Sequence, residues 1–210
     1  MCDKRKVPVI GITGGVGSGK SYIAVLLQSV CKVCHINTDR ISEAQMRKGG
    51  CVYEAVVDYF GSSFLQEDGE VNRKKLGEYV FDKPEELQVL NSITHPAVRI
   101  EVEKQIQEAQ SPEYDAVLLE TALLIEAGYE SICDDVWYVY ATQKLRRQRL
   151  VEMRGYTKER IKDMFRRQNT ERFFRMHADF VINNNDRTEE SLKRALRKRI
   201  KTIQTQLQKN

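Results

Sequence analysis

The chain has 210 residues, 41% of them hydrophobic, and carries 34 basic against 30 acidic side chains for a net charge of +4. That is enough apolar material for the core of one ordinary-to-large domain, and no apolar run is long enough to cross a membrane. The small charge excess, in a chain rich in both signs, does not call for nucleic acid and suits an anionic small molecule.

The opening MCDKRK runs at once into a short apolar segment and then glycines, without the apolar stretch and small-residue cleavage site of an export signal. A cytoplasmic location is expected, with the cysteines as thiols in a reducing compartment. Periodicity then alternates between two and 3.6 residues, the mark of an α/β protein. A strand is predicted over Val7–Thr13, followed by a glycine-rich turn and a helix from about Lys20, with Ile23, Leu26, Leu27 and Val30 at helical spacing. KVCHIN reads as a second, buried strand. It overlaps Cys31-x-x-Cys34-His35, a string that elsewhere marks attached haem. A reducing compartment does not support that attachment, so the two cysteines read as small apolar core residues. Cys2, Cys51 and Cys133 stand alone in sequence, so a four-cysteine metal site has only half its pattern.

From Asp39 to about Gln110 strand signals nearly vanish. Helices are predicted in VYEAVVDYFG, NRKKLGEYVF, PEELQVLNSITH and PAVRIEVEKQIQEAQ, separated by glycine, proline and acidic turns. Asp115–Glu120 and Asp135–Ala141 return as near-continuous apolar strands, as parallel strands buried on both faces require. An arginine-rich helical section follows, with a break near Gly155 and a helix start at Thr157, then the strand DFVINN and a basic helix from about Glu189. In that last helix Leu192, Leu196, Ile200 and Ile203 keep an apolar stripe, which favours packing on the sheet, with a solvated basic face, over RNA binding.

GGVGSGKS, Gly14 to Ser21, satisfies Gly-x-x-x-x-Gly-Lys-Ser between a predicted strand and a predicted helix. Its glycines let successive backbone N–H groups turn toward phosphate oxygens, and the helix adds its positive end. Lys20 is then expected to reach the β and γ phosphates, and the Ser21 hydroxyl to ligate Mg²⁺. Such a loop leaves GTPase, ATPase, transporter subunit and small-molecule kinase open. No Asn-Lys-x-Asp base-reading motif is present. The early helical insertion and the arginine-rich section favour a kinase that closes over two small substrates.

Beyond the loop, the chain resembles the dephospho-coenzyme A kinases over nearly its whole length. IGITGGVGSGKS is similar to that family's opening strand and loop, NTDRISEAQMRKGG to its Asp-x-Asp segment, and EDGEVNRKKLGEYVF with LNSITHPAV to its helical insertion. LLETALLIEAGY resembles its central strand and acidic loop, and HADFVINNN its closing strand. Asn37, Asn72 and Ala122 depart from the pattern, standing where the family has aspartate, aspartate and proline.

The resemblance implies a three-layer P-loop kinase fold with a central parallel sheet of about five strands. Its core covers about 1–38, 113–142 and 178–210, with an acceptor-binding helical insertion at about 39–112 and a helical lid at about 143–177. It implies ATP-dependent phosphorylation of the ribose 3′-hydroxyl of dephospho-coenzyme A, with ATP and Mg²⁺ as cofactors, neither nucleic acid nor membrane as partner, and a monomer or small homo-oligomer. A kinase of another nucleoside, nucleotide or small alcohol, and a nucleotide-switch module, are the alternatives.

Candidate residues follow. Gly15, Val16, Gly17, Ser18, Gly19, Lys20, Ser21 and Tyr22 form the nucleotide loop, and Asn184 matches the family's asparagine near the adenine. Asp39 follows the second strand, at the sheet edge that also carries the loop, and matches the catalytic aspartate; its other reading is an N-cap for a helix starting at Arg40. Glu120 ends a strand as a Walker-B-type carboxylate does and is expected to hold Mg²⁺ through water. Glu126 reads as structural. Arg149 and Arg154 are the lid arginines, five residues apart where the family's commoner spacing is four; Arg166 and Arg167 read as a solvated face. Arg73 is expected to meet an acceptor phosphate. His95 reads either as a buried residue shaping a junction between two helices or as a substrate contact.

Overall fold

The computed structural model describes residues 6–209, so Cys2 lies outside the described residues. They form two compact units, one made of the residues up to Ile36 and from Glu108 onward, the other of Asn37–Gln107.

The first unit is built on five strands, β1 (Val9–Thr13), β2 (Val33–Asn37), β3 (Ala116–Glu120), β4 (Asp135–Tyr140) and β5 (Phe180–Asn183), in the order β2-β3-β1-β4-β5. β1 runs parallel to β3, with Val9 opposite Val117 and Ile12 opposite Glu120, and parallel to β4, with Ile10 opposite Asp135. β4 and β5 are also parallel. At the other edge the Asp115 amide donates to the Lys32 carbonyl while His35, farther along β2, reaches Glu120, so β2 and β3 run the same way. Every residue of β1 and β3 is buried, which is why these segments read as unbroken apolar runs rather than alternating ones.

Helices cover both faces. α1 (Lys20–Gln28) and the C-terminal α9 (Glu189–Leu207) pack Ile23, Leu27, Leu192, Leu196, Ile200 and Ile203 against Ile10, Ile12, Leu118, Trp137 and Val139. The apolar stripe of α9 is thus core, as its spacing predicts. Each fully buried aliphatic side chain there contributes about 1.5–3 kcal/mol. On the opposite face Tyr138 stacks on Phe174 of α8 (Glu171–Met176), ring centroids 5.1 Å apart. Before α8 come α6 (Gln143–Arg154) and α7 (Lys158–Arg167). Gly155 closes α6 in the left-handed region and Thr157 caps α7 by accepting from the Arg160 amide, at the break the sequence predicts.

The second unit holds α2 (Thr38–Met46), α3 (Tyr53–Phe60), α4 (Arg73–Phe81) and α5 (Pro84–Glu108) around Met46, Val52, Tyr53, Val56, Val71, Leu76 and Val80. Two expectations change. α2 begins at Thr38 rather than Arg40, and its cap is Asn37, whose side chain accepts from the Arg40 amide; Asp39 is inside the first turn. The two helices predicted around His95-Pro96 are one 25-residue helix, so there is no junction for His95 to shape. A proline forfeits one helical hydrogen bond and crowds the carbonyl four residues back. Thr94, Val98 and Val102, buried at steps of four along one face, hold α5 together through Pro96.

Among the described residues Cys31, Cys34, Cys51 and Cys133 are free thiols. Cys31 and Cys34 are half-buried, and burial pushes both thiols above the ordinary cysteine value, so neither is poised as a thiolate ligand.

Candidate active site

The carboxyl end of β1 leads into the Gly14–Ser21 loop, and α1 starts at Lys20 with no acidic residue in its first turn. The strand order doubles back around β1, so the loop sits where an open α/β sheet takes its ligand. The positive end of α1 and the loop backbone together make an anion cradle. Lys20 Nζ donates to the Gly14 carbonyl at 2.8 Å, which folds the lysine back over the loop. Tyr22 lies exposed in the first turn of α1.

Side chains far along the chain fix the loop's shape. Arg146 of α6 donates from Nε to the Val16 carbonyl at 2.8 Å and from a terminal nitrogen to Gln168 Oε1 at 2.6 Å. The same Gln168 oxygen accepts from the Val16 amide at 3.2 Å. The Phe165 ring lies 4.4 Å from the guanidinium carbon. A Cβ at Gly15 would overlap this guanidinium, so a side chain there would displace the Arg146 head from its bonds. Arg149, one turn on, donates to the carbonyls of Ser18 at 3.1 Å and Asn184 at 3.0 Å. Buried Asn184 donates to the Ser18 carbonyl at 2.7 Å. Gly19, at φ 95°, leaves room for that amide, which a Cβ would strike. Sequence reasoning finds Arg149 and Asn184 but misses Arg146 and Gln168. Burial lowers the Arg146 pKa, the nearby Tyr138 opposing it.

On the other side of the loop, Ser21 Oγ donates to Glu120 Oε1 at 2.6 Å. Glu120 Oε2 meets His35 Nε2 at 2.9 Å. Burial alone would raise the Glu120 carboxyl; the hydrogen bonds from His35 and Ser21 and the charge of nearby Lys20 outweigh it, so its pKa lies below the ordinary value and the group is an anion. The structure thus brings together the two predicted metal residues and adds His35, which the sequence presents only as part of a haem-like string.

The remaining candidates are placed as follows. Asp39 is exposed in the first turn of α2, two residues beyond the end of β2. Because Asn37 caps the helix, capping does not account for Asp39. Arg73 opens α4 and pairs with Glu43 at 2.9 Å, an exposed contact that holds the Glu43 carboxyl below its usual range. His95 lies on the exposed side of α5. Arg154 is the exposed last residue of α6, away from the loop contacts that Arg149 makes. Glu126 accepts from Asn169 at 2.6 Å. Arg166 pairs loosely with Asp163 at 3.8 Å.

Comparison with known proteins agrees with this geometry. A family model described as dephospho-CoA kinase matches residues 8–190. The dephospho-CoA kinase of Carboxydothermus hydrogenoformans is 37% identical over 190 residues, covering 90% of this chain and 92% of that one. That of Corynebacterium diphtheriae is 38% identical over 176 residues, 84% of this chain and 88% of the other. A crystal structure from Thermus thermophilus, 30% identical, superposes with a TM-score of 0.79 over 94% of this chain and 98% of its own. The matched span runs from β1 into α9 and takes in the loop, Glu120 and Asn184 alike, and on that extent the chain belongs to the dephospho-CoA kinase family.

Proposed function

We propose that the chain transfers the γ-phosphoryl group of ATP to the ribose 3′-hydroxyl of dephospho-coenzyme A, giving coenzyme A and ADP, the last step of coenzyme A synthesis. The observation that carries this is the family match over residues 8–190, which includes a complete, braced phosphate loop. Phosphoryl transfer leaves the protein mainly positioning and charge neutralisation. The loop N–H groups other than those of Val16 and Ser18, which are bonded within the protein, hold the phosphates with the Lys20 ammonium, and Tyr22 and Asn184 complete the nucleotide site. Asp39 accepts the proton of the attacking hydroxyl. Arg149 acts through the loop backbone it grips, and Arg154 from the exposed end of α6. In this reading the segment of about 39–112 takes the acceptor, with Arg73 and His95 as contacts, and that of about 143–177 is the lid.

The Ser21 hydroxyl and the anionic Glu120 carboxylate are hard oxygen donors 2.6 Å apart and fit Mg²⁺. Among the described residues no three His, Cys, Asp or Glu side chains form a ready-made metal cage, so phosphate oxygens and water would complete the ion's shell. When bound, the ion neutralises charge on the β and γ phosphates. Among the described residues no helix is long and apolar enough to cross a membrane.

The test is an acceptor screen with ADP release as readout, comparing dephospho-coenzyme A, adenosine and nucleoside monophosphates. Turnover with dephospho-coenzyme A, and little without an acceptor, is the expected result. Silence with dephospho-coenzyme A from folded protein overturns the assignment.

A further inference from the structure

We propose that His35 is a positioning residue for the metal-binding carboxylate. Glu120 ends β3, and the torsion that orients a glutamate carboxylate is broad and two-fold, so the backbone alone does not fix where its lone pairs point. Here both oxygens are committed, Oε1 to the Ser21 hydroxyl at 2.6 Å and Oε2 to His35 Nε2 at 2.9 Å. A carboxylate only accepts, so the imidazole carries its proton on Nε2 and donates. The pair is well shielded, with the His35 side chain 18% exposed and that of Glu120 6%. His35 therefore sets the plane of the carboxylate and the Ser21 bond sets its distance from the loop, so that a cation with its water meets a carboxylate of fixed orientation. The Cys-x-x-Cys-His string thus contributes a working residue in its histidine rather than its thiols. Loss of an outer partner of a metal-side ligand typically weakens metal binding 10–100-fold.

The proposal rests on reading Ser21 and Glu120 as the metal side of an ATP site, and its test needs no acceptor. The probe is Mn²⁺ with ATP, free Mn²⁺ being read by electron paramagnetic resonance, alongside ATP binding in chelator and thermal melting. His35→Val should weaken Mn²⁺ binding to the ATP complex about tenfold. ATP binding in chelator should stay within about twofold, and His35→Gln, whose amide N–H reaches the same oxygen, should restore most of the loss. Ser21→Ala is the control. If it weakens Mn²⁺ binding while folded His35→Val does not, the positioning role is wrong and the metal site stands. If Ser21→Ala is also silent, the metal reading itself falls, and this proposal with it. Should His35→Val not fold, the wild-type chain still decides. It has only three histidines, and the His35 ring nitrogen resonance should move when Mg²⁺ is added to the ATP complex. A resonance that stays put overturns the proposal.

Discussion

Around the phosphate loop, Arg146, Gln168, Arg149 and Asn184 are bonded to loop backbone, and Glu120 is held from both sides by Ser21 and His35. In the Asn37–Gln107 unit, by contrast, Asp39 and His95 stand exposed and Arg73 has an exposed ion pair. The first arrangement fixes geometry during folding, so little ordering is left for ligand binding. The second leaves the charges of Arg73 and Glu43 in water, where they are screened and free to re-pair. Damage to the braced side should therefore appear in nucleotide binding and stability together, whereas damage to the exposed side should appear in the reaction or the acceptor alone.

Asp39→Asn is the sharpest way to test the exposed side. Removing a general base costs about 10²–10⁴-fold in turnover. Asn37 supplies the cap, which leaves the exposed Asp39 carboxylate a weak, screened interaction with the positive end of α2. ATP affinity and melting temperature should therefore match the wild type while kcat collapses. Near-normal turnover would remove Asp39 from the mechanism.

Arg146→Ala breaks the braced side. It deletes two bonds from a charged donor, each worth about 1.5–3 kcal/mol, and leaves the Val16 carbonyl unsatisfied. Stability should fall by about 2 kcal/mol or more, and KM for ATP should rise about tenfold. Lysine should not rescue it, because an ammonium cannot meet the Val16 carbonyl and Gln168 with the fixed fork of a guanidinium. A destabilised variant with unchanged ATP kinetics would show that the clamp serves the fold and not the loop.

Arg73→Ala returns to the exposed unit with a milder change. Its pair with Glu43 is solvent-screened, so melting should be unaltered. If Arg73 meets an acceptor phosphate, KM for dephospho-coenzyme A should rise about tenfold while KM for ATP stays put. A rise in both would contradict the division between the two sides.

The same division explains what the sequence discloses. Gly14–Ser21 is legible because its work is done by backbone, and only glycines at those places allow it. The sheet is legible because burial on both faces leaves no alternation in β1 and β3. Arg146 and His35 are not, because their partners Val16 and Glu120 lie 130 and 85 residues away, and no local pattern records a through-space bond. Asp39 fails as a predicted cap for a smaller reason. Asn37 and Asp39 are both competent caps, and the two-residue shift between them is decided by where β2 ends. Pro96 misleads because propensity is local, whereas Leu87, Leu90, Ile93 and Ala97 pack α5 against the core of its unit.

The smallest expected effect separates side-chain from backbone bracing within the loop itself. Ser18 is 1% exposed, and its hydroxyl has no hydrogen-bond partner among the described residues. Its carbonyl, in contrast, accepts from both Arg149 and Asn184. A buried hydroxyl without a partner costs about 1–3 kcal/mol, so Ser18→Ala should leave stability unchanged or raise it by about 1 kcal/mol. The carbonyl contacts survive that substitution, and KM for ATP should stay within about twofold. A clear loss of stability or of ATP binding would mean that the hydroxyl itself holds the loop. The expected silence would locate the bracing in the carbonyls of Val16 and Ser18, which no side-chain substitution at those two positions removes.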